Sequence, residues 1–220
     1  MRLRARPTRH VIVFVKAPRL GRVKRRLAAG IGAVSALGFY RTAVGTLLRR
    51  LSREGAWTCH LAVTPDGVPG LGRSWRVAGW QVRGQGQGDL GQRMDRALRR
   101  LPPGPAVLIG GDVPEIEPAH LERAFGALGR APLVFGPAGD GGFWLVGARH
   151  PRRMPWLYEG VRWSSAATLS DVLANAARLL PGPSPFRLID RLDDVDEAAD
   201  LERLRQRLRT RRPHARAGGA

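Results

Sequence analysis

Lysine is almost missing from this chain. Of 37 basic residues only two, Lys16 and Lys24, are lysines, and every other cation is arginine. Cysteine is scarcer still. The single Cys59 excludes an internal disulfide framework and fits a reducing compartment, so the protein is expected to be cytoplasmic. No apolar run approaches the ~20 residues that cross a bilayer. The basic opening MRLRARPTRH leads into a short apolar run and not into a signal-peptide core with a small-residue cleavage site. No His/Cys cluster has zinc spacing, no Gly-x-Ser-x-Gly elbow marks a serine hydrolase, and there is neither a Walker-type loop nor an internal repeat.

With 220 residues and 43% hydrophobic content, the chain has ample material for one core. The expected organisation is a flexible basic arm over residues 1–9, a single domain over 10–209 and a disordered tail over 210–220. The formal net charge of +19 raises the question of nucleic acid. The arginines are scattered over the first nine residues, helix faces near Arg49 and Arg99, and the stretch 203–216, with no interleaved aromatic stripe or base-reading motif. Phosphorylated small substrates account for the charge more simply than specific nucleic-acid binding.

Residues 11–15, VIVFV, are too short for a helix and rich in β-branched side chains, so they read as a buried strand. A loop bearing Lys16, Pro18 and Gly21 follows, and a helix is expected from Arg22 or Val23 with Leu27 and Ile31 inward. Glycines 30 and 32 end it. A longer helix should then bury Val34, Leu37, Val44, Leu47, Leu48 and Leu51. Strands are expected over 57–64, around 75–82, and over 105–110, 132–135, 143–146 and 186–189. Between them lie a loop at 65–72, a glycine-rich flexible lip at 84–91, and a helix capped by Asp89 with Leu90, Met94, Leu98 and Leu101 inward. Further helices are read over 118–128, from Trp163-Ser164-Ser165 onward, and through Leu201, Leu204 and Leu208. Apolar strands alternating with helices predict an α/β fold, an open and mostly parallel sheet covered on both faces.

In such sheets ligands bind beyond the carboxyl ends of the strands. Strand, tight loop and basic helix start is how α/β proteins hold phosphate, and both lysines fall in the first such loop. Lysine offers a compact point charge where arginine offers a rigid fork. Lys16, Lys24 and Arg26, with Pro18 and Gly21 shaping the loop, are therefore candidate phosphate ligands, joined by Gln85, Gly88, Asp89 and Arg93 of the lip. Asp112 ends the apolar strand over 105–110 and is fixed by Pro114, a good position to hold Mg²⁺ or Mn²⁺ against a diphosphate. Asp140, in AGDGG, is either a turn residue or a catalytic group that positions the acceptor or sugar. Seven of the eighteen acidic residues lie between Asp190 and Glu202, and Asp194 with Asp196 are the candidates to complete a metal site.

These residues resemble the DUF2064 proteins, also labelled a glycosyltransferase family linked to arsenosugar biosynthesis, within the nucleotide-diphospho-sugar transferase (GT-A) superfamily. The resemblance lies in FVKAPRLGRVKRRL (14–27), QGQGDLGQRM (85–94), LIGGDVPEI (108–116), FGPAGDGGFWLVG (135–147), VRWSS (161–165) and LDDVDEAADL (192–201), in the family's order along nearly the whole chain. Where the family usually reads Lys-Thr-Arg-Leu, this chain has Lys24-Arg25-Arg26-Leu27, and Phe143 stands where a tyrosine is common. The resemblance implies a GT-A, Rossmann-like nucleotide-binding sheet, a divalent metal at the diphosphate, and transfer from a nucleotide-activated donor to a small-molecule acceptor. A glycosyltransferase using a nucleotide-diphospho-sugar is the leading expectation. Nucleotidyl transfer from an NTP to a phosphorylated small molecule is the alternative, since the first loop also looks like that of 2-phospholactate guanylyltransferases. A non-catalytic nucleotide- or nucleic-acid-binding protein is the reading of another class.

Overall fold

The computed structural model describes residues 8–52, 56–67, 71–75 and 77–210. Among these, seven strands form one sheet: β1 (His10–Lys16), β2 (Thr58–Thr64), β3 (Gln81–Gly84), β4 (Ala106–Gly110), β5 (Leu133–Pro137), β6 (Phe143–Ala148) and β7 (Phe186–Leu188). Their order is β3-β2-β1-β4-β6-β5-β7. All neighbours pair in parallel except β6, which runs antiparallel to both β4 and β5. The helices are α1 (Arg25–Ile31), α2 (Ala33–Ser52), α3 (Leu71–Ser74), α4 (Leu90–Arg99), α5 (Pro118–Leu128), α6 (Thr168–Leu179) and α7 (Ala198–Thr210). No helix of the described residues is long and apolar enough to cross a membrane.

The unbroken apolar strands of the sequence are explained by a sheet buried on both faces. Alternate residues of β1 and β4 enter different cores. Val11, Val13, Val15, Val107 and Ile109 pack with α2 and α5, while Ile12, Ala106 and Leu108 pack with α4 and α6. A smaller core joins Leu27 and Ala36 to Val195, Leu201 and Leu204 of the chain's last turns.

Several expectations need correction. Helix α1 begins at Arg25, because Lys24 adopts a left-handed backbone, φ 47°, that no helix continues. Val34 is 75% exposed, since the buried stripe of α2 runs through Ala36, Tyr40, Val44, Leu47, Leu48 and Leu51. Two residues before Ala36 is about 200° around the helix, the opposite face. The strand expected around 75–82 is only Gln81–Gly84, an edge strand. Trp75 donates its indole N–H to Arg41 O and Trp80 donates to Ser52 Oγ, so the chain bends to seat both rings on α2. The 65–72 loop gives way to α3 at Leu71, with residues 68–70 outside the described set. Leu90 and Leu208 are exposed, and α6 starts at Thr168, later than Trp163. Of the basic arm, residues 1–7 lie outside the described set, but Arg9 is docked. It pairs with Glu122 at 2.7 Å and covers the Phe125 ring. Helix α7 reaches Thr210, and residues 211–220 lie outside the described set.

At the opposite edge of the sheet from the strand ends, His10 and His60 are 1% and 4% exposed, with His10 Nδ1 3.2 Å from His60 Nε2. One N–H serves both nitrogens while at least one ring stays neutral, and protonating both rings would set N–H against N–H. Burial, then the charges of His10 and Arg83, push His60 down to about 4, and burial also lowers His10. The unfolded imidazole titrates near 6.5, so the unfolded chain takes up protons first as pH falls. The pair's contribution should be complete above that pH and lost progressively toward pH 4, by roughly 2 kcal/mol. Urea unfolding between pH 7.5 and 4.5 measures it, and His60→Asn should flatten the slope.

Candidate functional site

The carboxyl ends of β1, β2, β4 and β5 open onto one cleft, divided into two halves that share Phe14, Leu90, Asp112, Trp163 and Ser164. The larger half, about 600 Å³, holds Lys16, Lys24 and Arg93. The smaller, about 270 Å³, lies between β4, the β5–β6 hairpin and α4.

Lys24 is the centre of the first half. Its left-handed backbone turns the side chain inward, where it is 4% exposed and meets three carboxylates: Asp112 at 2.9 Å, Asp194 at 3.4 Å and Asp196 at 3.6 Å. Burial pulls the ammonium pKa down, but the charges of Asp112 and Asp194 outweigh it, so the pKa is raised and the charge retained. Asp194 is pushed up by burial and by its carboxylate neighbours, against the pull of Lys24. Arg26, expected beside Lys24, points outward instead. Its side chain is 74% exposed and holds the other oxygen of Asp196 at 3.3 Å. Three carboxylates against two cations leave one net negative charge at the locus.

The lip is tied down, not loose. Gln85 is 4% exposed, and its amide donates to Val15 O and Ala62 O, bridging β1 and β2. Its carbonyl oxygen accepts from Arg93 Nη1 at 2.9 Å. Gln85 is thus a strut that aims Arg93 into the cleft, with no amide hydrogen-bonding group facing the cavity unpaired. Gly86 N–H donates to both oxygens of Asp66, and a Cβ at Gly84 would lie 2.3 Å from that carboxylate, so glycine serves close approach here and not mobility. Gly88 leads into Asp89, which closes a reciprocal capping box with Gln92 and lines the cleft. Pro18 and Gly21 shape the first loop without lining either half.

Asp140 faces the smaller half and also makes a turn, accepting Gly142 N–H at 2.9 Å. The turn is thus present, and the same side chain lines the cavity. The sequence reading missed three residues. Tyr40 Oη accepts Lys16 N–H and donates to Lys16 O, pinning the end of β1. Trp163 and Ser164 wall both halves. Ser164, φ 57°, and Lys24 are the two non-glycine residues with left-handed backbone among the described residues, and both line this cleft. Strained backbone concentrated at one place is a mark of a working site. The available signal is the Trp-Ser-Ser run, which lies in the VRWSS segment of the family resemblance and also reads as a helix entry.

Trp163 is held by Tyr158, ring centroids 5.7 Å apart, and by α4. A Cβ on Gly91 would sit 2.6 Å from Tyr158 Cβ and 3.0 Å from the Trp163 ring. Gly91→Ala should cost about 1–3 kcal/mol in urea unfolding by overpacking. It should also weaken ligand binding by displacing the indole.

Hard oxygen donors suit Mg²⁺ or Mn²⁺, and Asp112 with Asp194 form such a set. Among the described residues, however, no group of three or more His, Cys, Asp or Glu is placed to hold a metal ion. The Lys24 ammonium occupies the middle of the carboxylates. The residues fit a cation, and a divalent one must share or replace the place of the lysine.

Among curated proteins none matches this chain. A protein from Desulfovibrio desulfuricans G20, provisionally assigned as a nucleotide-diphospho-sugar transferase, is similar over 94% of this chain and 89% of its own, at 28% identity and a TM-score of 0.83. The inositol-1-phosphate CTP transferase from T. maritima, at 16% identity and a TM-score of 0.62, covers 96% of this chain and 99% of its own. Rv0371c from Mycobacterium tuberculosis H37Rv, in complex with manganese, covers 91% and 98% at 20% identity and a TM-score of 0.52. The last two likenesses concern the fold, which is the Rossmann-like GT-A sheet. A family model described as uncharacterized protein conserved in bacteria matches residues 47–165, from the end of α2 through the β4 strand end and its Asp112 to the Trp163 wall. With more than half its length so matched, the chain belongs to the DUF2064 family.

Proposed function

We propose that this protein is a metal-dependent glycosyltransferase acting on a nucleotide-diphospho-sugar. The observation that carries the reading is Lys24, a buried lysine facing three carboxylates where the sheet's strands end, with Lys16 and Arg93 beside it. Cations converging at that edge suit a diphosphate. Lys24, Lys16 and Arg93 would hold the diphosphate and stabilise the charge it gains as the bond from its oxygen to the anomeric carbon breaks. In the smaller half Asp140 would orient the acceptor hydroxyl and take its proton as that oxygen bonds to the same carbon. Asp112 and Asp194 would hold a divalent cation, which when bound supplies charge neutralisation at the diphosphate.

Nucleotidyl transfer from an NTP is the second reading, supported by the spacing of the loop over residues 16–27. The Desulfovibrio protein's assignment and the T. maritima CTP transferase support a nucleotide-using transferase in general. The test is a thermal-shift panel of nucleotide sugars and NTPs with Mg²⁺ or Mn²⁺, since a ligand that binds only the folded state raises the melting temperature. A nucleotide sugar should stabilise the protein, with metal, more than the matching NTP, and should release nucleoside diphosphate when acceptor is added. A preference for NTP with pyrophosphate release transfers the assignment to the second reading. No shift with any nucleotide overturns both.

A further inference from the structure

The two halves of the cleft carry opposite chemistry. The larger has Lys16, Lys24 and Arg93 in its walls. The smaller has three carboxylates, Asp112, Asp140 and Asp194, and among the described residues no lysine, arginine or histidine lines it. In a chain with 37 basic residues and eighteen acidic ones, a chamber with no basic residue among its described lining is a pronounced segregation. The remainder of its wall is apolar or aromatic, including Phe14, Leu90, Met94, Leu108, Phe143 and Trp163.

Two of the carboxylates are held from the other half by Lys24. Asp140 has no ion pair among the described residues, and its one hydrogen bond, from Gly142 N–H, engages only Oδ1. Arg191, with Arg26, Arg203 and Arg207, lines a neighbouring groove that shares Asp140 and Asp194 with the chamber, but it is held toward Asp193 and Gly139 O and is not among the residues lining the chamber. Apart from a divalent cation that Asp112 and Asp194 would commit to the donor diphosphate, a phosphorylated acceptor would enter a chamber whose described walls offer it no cation and set an unpaired carboxylate against it. Like charges brought together at a binding surface cost enough to exclude a partner. A polyhydroxy molecule finds the reverse: carboxylate acceptors for its hydroxyls and an indole face, fixed by Tyr158 and Gly91, for its apolar side. An amine on it would be drawn by the same carboxylates.

We infer that the acceptor is a neutral or amine-bearing polyol bound between Trp163 and Asp140, and that the site rejects phosphorylated acceptors. The inference rests on the transferase reading and favours one of its two forms, because nucleotidyl transfer to a phosphate needs a second set of cations, and none lines this chamber among the described residues.

The test uses glucose, glucosamine and glucose 6-phosphate as probes, titrated into the full chain. The readout is the tryptophan fluorescence change that disappears in Trp163→Phe. Glucose and glucosamine should give that change, and glucose 6-phosphate should bind at least about tenfold more weakly. Asp140→Arg should narrow or reverse this ranking, and Asp140→Asn should narrow it where the arginine variant does not fold. A phosphate probe that binds as well as the others, a ranking that Asp140 substitutions do not move, or no Trp163-dependent signal from either unphosphorylated probe overturns the inference. The nucleotide-sugar thermal shift is measured on the same samples. If it persists while the probes fail, the acceptor class alone is wrong, and if it too is absent the transferase reading falls.

Discussion

Lys24→Ala should lose nucleotide and gain metal. A charge-assisted hydrogen bond to phosphate is worth about 1.5–3 kcal/mol, so nucleotide affinity should fall roughly ten- to a hundredfold. The same substitution leaves Asp112, Asp194 and Asp196 with Arg26 as their remaining cation. Removing one member of a buried ion cluster strands the others, so the nucleotide-free variant should be less stable by roughly 1–3 kcal/mol, moderated because the carboxylates are 36–40% exposed. A divalent cation competes for the oxygens that now hold the ammonium. Without nucleotide, the variant should bind Mn²⁺ about tenfold or more tightly than the parent does, and Mn²⁺ should restore the lost stability. Free Mn²⁺ measured by electron paramagnetic resonance gives the first quantity and thermal unfolding the second. Lys24→Met, which keeps most of the volume, should behave the same way. Equal Mn²⁺ affinity in parent and variant would mean the carboxylates are bonded for structure alone.

Asp112→Asn tests the junction of the two halves. The substitution keeps shape and removes one charge. The strand end should survive it, because Asp112 is 39% exposed at its side chain and its backbone oxygen still accepts Val195 N–H. Lys24 keeps Asp194 and Asp196. Circular dichroism should therefore be unchanged. The metal-dependent part of the nucleotide shift should vanish, and turnover should fall about a hundredfold or more, the scale set by losing one preorganised electrostatic contact. A variant that retains its metal-dependent shift would move the chemistry to another carboxylate, and one that unfolds would make Asp112 a structural cap.

What could be read in the sequence was what local chemistry decides. Strands β1 and β4 announce themselves because both faces are buried and so both sets of alternate residues are apolar. Helix α5 follows from its first-turn proline, and α4 from the Asp89 cap. The tryptophans at 75 and 80 misled because the groups that hold them, Arg41 O and Ser52 Oγ, lie about thirty residues away. At the site, the scarcity of lysine singled out Lys24, and the strand-end position singled out Asp112. Their direct contact spans 88 residues of sequence and has no local signature. Gln85 sits among glycines and looks like a solvent-facing loop residue. Only the fold shows two backbone carbonyls waiting for its amide.

The two lysines have a practical consequence as well. A lysine-specific protease has just two places to cut, after Lys16 and after Lys24. The second is sealed while the side chain stays 4% exposed among three carboxylates. Cleavage there requires that loop to leave its carboxylates and enter a protease groove, so the rate of the second nick counts how often the cleft comes undone. The chain therefore carries a native footprinting reagent's target at the very bond of interest, and ligands can be ranked by how long each keeps a digest from passing that point.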